Sequence, residues 1–165
     1  MAVKGANEDV ASGNSTEGQF LRCWVKLSKE LHRRLEAELA PELTESQLNV
    51  LDVMLMKNGD WTTSELIEFL ETTPAAVTMI LDRMEKHGLI ARTRDERDRR
   101  IVRIAVTTKG KTAWERGVRI REQIAASCLS RLSAHNQRLL VYLLSKAAGV
   151  PTTAESGPSP TAVTV

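Results

Sequence analysis

Phe20, Trp24, Leu27, Leu31, Leu35 and Leu39 recur at steps of four, three, four, four and four, so all six fall on one stripe of a long helix. Pro41 ends it. A second helix opens at Thr44-Glu45-Ser46-Gln47, a capping-box spacing in which the threonine hydroxyl and the glutamine amide each satisfy an orphan backbone N–H. It carries Leu48, Leu51, Met54 and Leu55 and is expected to stop at Asn58-Gly59. The spacing recurs in Thr62-Thr63-Ser64-Glu65, ahead of Leu66, Ile67, Phe69 and Leu70, which predicts a helix of about two turns. Thr73 then caps a further helix with Pro74 in its first position, where the missing N–H costs nothing. Val77, Ile80, Leu81 and Met84 form its apolar face, and His87-Gly88 closes it.

After Gly88 the period changes from helical to two. Residues 89–94 and 101–106 read as strands, with Val102, Ile104 and Val106 on one face. Between them stand six consecutive charges, Asp95-Glu96-Arg97-Asp98-Arg99-Arg100. The helical period returns at Thr107 or Thr108, with Trp114, Val118, Ile124, Cys128 and Leu132 along roughly 25 residues. A last helix, capped by Ser133, bears Leu139, Leu140, Tyr142, Leu143 and Leu144 and stops at Gly149.

The predicted class is mainly α with a small β-hairpin. A two-turn helix, a tight turn and a longer helix give the order of a helix-turn-helix, and a hairpin directly after it makes a winged helix-turn-helix, over about residues 44–107. The charged turn is then the tip of the wing. The helices over about 18–40 and 108–149 carry apolar stripes in excess of what so small a domain can cover. A second copy of the chain is the expected partner, so they are read as a dimerisation region. Residues 1–17 and 150–165 show no apolar period and are expected to be disordered tails around a single domain, 18–149.

Net charge is only +2, so no overall basicity announces a polyanion partner. The distribution does. Between Arg83 and Arg103 stand eight basic and four acidic residues, which makes that block +4 and the rest of the chain −2. Cys23 and Cys128 form neither a CxxC pair nor a disulfide framework. The start of the chain lacks a signal-peptide core and no run of 18 apolar residues occurs, so no membrane partner is expected and the cytoplasm is the expected compartment. No nucleophile elbow, phosphate loop or paired catalytic carboxylates appear, and an enzyme is not expected. No cofactor or metal is expected either. Cys23 and His32, nine residues apart, point to opposite helix faces, and His87 and His135 have no companions at ligand spacing.

The stretch from Val77 to Gly110 resembles the MarR family of bacterial transcription regulators. Asp82, Arg83, Glu85, Gly88, Leu89 and Ile90 match a recognition-helix phrase, with Met84 in place of the usual leucine. Asp95, Arg97, Asp98, Arg99 and Arg100 match its wing phrase, and Val106, Thr107 and Gly110 its exit into a long helix. The resemblance implies a homodimer on double-stranded DNA at a near-palindromic operator, often as a repressor. It also implies release by a small aromatic or phenolic effector, or by oxidation of a cysteine. Met79 departs from the polar or basic residue frequent at that position, and Ala75 and Ala76 offer little beyond contact with a thymine methyl.

Thr73, Thr78 and Arg83 are the polar candidates for DNA contact on the recognition helix. Thr73 also reads as a plain N-cap, and Arg83 equally as the partner of a wing acid. Thr63 and Ser64 stand at the first turn of the short helix, suited either to phosphate or to capping. In the wing, Arg94, Arg97, Arg99 and Arg100 are candidates for a narrow minor groove, Arg97 first and Arg99 second, with Asp95 or Asp98 holding one arginine rigid while another reaches in. Cys23, beside Arg22 and Lys26, is either a redox-sensitive thiol or a buried inert one. Two other readings stand beside DNA binding: a dimeric winged-helix adaptor that binds protein, and an enzyme whose site leaves no local trace.

Overall fold

Hydroxyl caps set the helix starts in the computed structural model, which describes residues 15–56, 59–70, 72–96 and 98–150. The elements run α1 (Thr16–Leu39), α2 (Glu45–Met54), β1 (Trp61–Thr62), α3 (Thr63–Leu70), α4 (Pro74–Lys86), β2 (Ile90–Arg94), β3 (Val102–Val106), α5 (Thr108–Leu129) and α6 (Ala134–Ala148). Most of both expected tails, Asn58 at the expected helix stop, and Arg97 lie outside the described residues.

Ser15 Oγ accepts from Gly18 N at 3.1 Å, so α1 takes in Thr16 and Glu17, which the sequence assigns to the tail. At the other end Val150, also assigned to a tail, donates its N–H to Ser145 O at 3.0 Å and closes α6, with Gly149 at φ 66. The box at Thr44 forms as expected: Thr44 Oγ1 accepts from Gln47 N, and Gln47 Oε1 from Thr44 N. But α2 stops at Met54, short of Asn58-Gly59. The buried indole of Trp61 donates Nε1–H to Met54 O at 3.0 Å, taking a carbonyl that another helical turn would need.

Trp61 also begins a strand that the sequence reading lacks. Trp61 pairs with Ile104 and Thr62 with Arg103, so the sheet has three antiparallel strands in the order β1-β3-β2 instead of two. A two-residue strand is too short for alternation to register. The hairpin itself forms as predicted, from Ile90 opposite Val106 to Arg94 opposite Val102.

The chain divides into two compact units, Met1–Ile124 and Ala125–Val165, with the division inside α5. In the first unit Leu48, Leu51, Leu66, Val77, Leu81, Met84 and Ile104 are wholly enclosed. The α1 stripe is only half used. Leu35 and Leu39 join this core, whereas Phe20, Trp24 and Leu27 are 53%, 52% and 43% exposed. Asp52 of α2 binds two residues of α5, accepting from Trp114 Nε1 at 2.7 Å and from Arg121 at 2.7 and 3.2 Å. That carboxylate raises the Arg121 pKa, against the opposing effect of burial. In the second unit α6 buries none of its residues, and Leu139, Tyr142 and Leu143 stand exposed.

Candidate nucleic-acid interface

Helix α4 is two-faced because Val77, Leu81 and Met84 repeat at steps of four and three. All three are enclosed by the core. What is left outward is a shallow concavity lined by Pro74, Ala75, Thr78, Met79, Asp82, Arg83 and Lys86. Thr73 caps the helix through Ala76 N at 3.3 Å, which bears out its plain reading. Thr78 gives its hydroxyl proton to Pro74 O at 2.9 Å, so toward solvent it offers only lone pairs. Met79 is 52% exposed, and its sulfur sits 3.8 Å from Arg83 Nη2. That contact, and not a wing acid, is what Arg83 meets among the described residues.

Asp82 and Glu85 would repel phosphate if left bare. Arg92 of β2 prevents it, with Nη1 at 2.6 Å from Asp82 Oδ1 and 2.9 Å from Glu85 Oε2. The register makes this inevitable: Arg92 pairs with Ile104, so it leaves the sheet on the face that covers the core, where α4 lies. The first turn of α3 presents Thr63 and Ser64, and neither is the cap. Thr62 is, accepting from Glu65 N at 3.3 Å, while Glu65 Oε2 accepts from Thr62 N at 2.7 Å. The capping alternative for Thr63 and Ser64 therefore fails, and Ser64 is exposed.

The wing is locked by Asp95. Its side chain, 14% exposed, accepts from Asp98 N at 3.1 Å and from Arg103 Nε at 2.7 Å. The pairing raises the Arg103 pKa, chiefly through that hydrogen bond. Backbone bonds from Asp95 N to Ile101 O and from Ile101 N to Asp98 O close the turn. Asp98 accepts from Arg100 N at 3.0 Å and stands 4.0 Å from the Arg100 guanidinium, whose side chain is 95% exposed. Asp95 thus holds an arginine, but one that belongs to the strand: Arg103 and not a tip residue. Sequence reading missed both Arg92 and Arg103. Aligning the hairpin brings Arg103 diagonally across from Asp95, but the acids that hold Arg92 lie on α4, outside the hairpin.

Of the basic block, Arg92 and Arg103 are thus held by carboxylates. Arg83, Lys86, Arg94 and Arg99 meet none among the described residues, and Arg100 only at 4.0 Å. Cys23 is exposed, against the buried alternative, and Cys128 is half-buried.

A short helix, a turn, a second helix with a bare cationic outer face and a braced β-wing define a winged helix-turn-helix DNA-binding protein. The MarR family model matches residues 43–102. The transcriptional repressor MdtR of Bacillus subtilis (strain 168) is 33% identical over 130 residues, covering 79% of this chain and 81% of that protein. The YusO protein of Bacillus subtilis superposes with a TM-score of 0.69 at 27% identity, over 84% of this chain and all of that one. Wild-type MarR of E. coli, in its apo form, gives 0.64 at 26% identity, over 76% and 94%. The chain belongs to the MarR family and is a DNA-binding transcriptional regulator.

Proposed function

We propose that the chain represses transcription as a homodimer on a near-palindromic operator. One observation carries the reading: the outward face of α4 and the wing keep Arg83, Lys86, Arg94, Arg99 and Arg100 for an external anion, while Arg92 and Arg103 neutralise the local acids. Each α4 enters a major groove, where Ala75, Ala76, Thr78 and Met79 meet base edges and thymine methyls. Thr63, Ser64 and the cap at Thr73 line the phosphates, and the wing places Arg97, Arg99 or Arg100 in the flanking minor groove. Exposed Phe20, Trp24 and Leu27 on α1, and Leu139, Tyr142 and Leu143 on α6, supply the apolar surface that a second copy covers. Repression follows the 33% identical relative that is named a repressor. A regulator of chromosomal DNA works in the cytoplasm, and among the described residues no helix is long and apolar enough to cross a membrane.

Release is set by an aromatic or phenolic effector, as the family resemblance implies, or by an oxidant acting at exposed Cys23. Either acts by changing the spacing of the two reading heads. The Asp52–Trp114–Arg121 bonds, which tie α2 to α5, are where this reading puts the lever.

Fluorescence polarisation with random and promoter duplexes at two salt concentrations tests the reading. The logarithm of the affinity should fall linearly with log salt, with a slope near −0.9 per neutralised phosphate. Absence of binding at low salt, or binding indifferent to salt, would favour the adaptor reading. Footprinting at the protein's own promoter should lose protection in Arg97→Ala.

A further inference from the structure

His32 and Glu36 lie one helical turn apart on α1, and Glu45 is the first residue of α2. The connection through Pro41 folds these ends together. One ligand atom from each of the three side chains then lies within 4.8 Å of the other two. Glu36 Oε1 accepts from Glu45 N at 2.9 Å, which fixes its carboxylate and leaves the second oxygen turned to other use. Glu45 Oε2 is enclosed and lies against His32 Nδ1, a pair whose charges are opposite only when the imidazole is protonated. A carboxylate oxygen withdrawn from water needs a positive partner. Arg121, whose positive charge Glu45 helps to favour, is held by Asp52 in two hydrogen bonds.

We propose that His32, Glu36 and Glu45 bind one divalent first-row transition ion, with zinc the best fit. Two carboxylates and a neutral imidazole nitrogen match the charge and borderline softness of such an ion, and three protein ligands leave a position for water. The i, i+4 pair on α1 offers two ligands from one face and Glu45 closes the site from the second helix, so the ion ties α1 to α2. Sequence spacing hid this set: it tests His32 against Cys23 on the same helix, and not against a glutamate beyond the proline turn.

Isothermal titration of the full chain with Zn2+ should show one ion per chain, and the ion should raise the melting temperature. His32→Ala, Glu45→Gln and Glu36→Gln should each weaken binding more than about tenfold. The last keeps an acceptor for Glu45 N, so it separates ligation from capping. Circular dichroism checks the fold of each variant. Co2+ added to the unaltered chain provides a readout free of mutation, with visible d–d bands and no sulfur-to-cobalt charge transfer. Lack of stoichiometric binding, equal affinity in folded variants, or a sulfur band placing the ion on a cysteine would each overturn the proposal.

Discussion

A methyl group built on Gly110 would lie 2.1 Å from the carbonyl oxygen of Leu89 and 2.9 Å from Val106 Cγ1. The first neighbour is backbone and cannot swing aside. Thr107 explains the closeness: its hydroxyl donates to Gly88 O at 2.7 Å and accepts from Gly110 N at 3.0 Å, while Thr107 N bonds Leu89 O at 3.1 Å. The Thr107-x-x-Gly110 phrase that the sequence displays is thus the knot between the end of α4, the hairpin and the start of α5. Gly110→Ala should destabilise by roughly 2–3 kcal/mol and lower the melting temperature by about 5–10 °C. An unchanged melting curve would contradict that packing. Trp61 is the opposite case, a residue whose work left no trace in the apolar period. It is 4% exposed, and Trp61→Phe keeps an aromatic ring, though a smaller one, while removing the donor to Met54 O. That leaves a carbonyl unsatisfied at about 1–2 kcal/mol, to be read by denaturant titration.

At the scale of elements, helices were legible because each combined a cap with a stripe: Thr44, Thr62, Thr73 and Ser133 all cap where the sequence predicts. The side chains that shape the interface were not. Arg92 and Arg103 counted toward a positive block, yet both serve inside the protein, because pairing depends on strand register and on which helix lies over the sheet. Arg97, first choice for the groove on position alone, lies outside the described residues. The Asp95–Arg103 pair gives the wing its shape more than its stability, since the Arg103 side of it is open to solvent and such surface pairs contribute little. Asp95→Ala should therefore leave thermal unfolding almost unchanged while weakening operator binding several-fold, because the tip arginines lose a fixed platform. Polarisation titrations on the promoter duplex, run beside a melt, measure both. A loss of stability equal to the loss of affinity would instead make Asp95 a folding residue.

For the whole molecule, the decisive quantity in the proposed homodimer is how many reading heads act together. Trp24 stacks on Phe20 with ring centroids 6.4 Å apart, and both rings are about half exposed on a helix whose lower half is core. Two adjacent bare aromatics are costly to leave in water and are suited to the centre of an interface. In the proposed homodimer, Trp24→Glu puts a charge at that centre without touching Leu35, Leu39 or the winged-helix core. Sedimentation should then give a monomer with an unchanged circular dichroism spectrum. The monomer carries one α4 and one wing, so it neutralises about half the phosphates, and its log-affinity slope against log salt should be about half that of the dimer. Operator affinity should drop much further than random-duplex affinity, since a palindrome rewards only the paired heads. A Trp24→Glu chain that sediments as the parent does would place the dimer contact elsewhere. One that becomes monomeric yet keeps the full salt slope would show that a single copy supplies all the phosphate contacts.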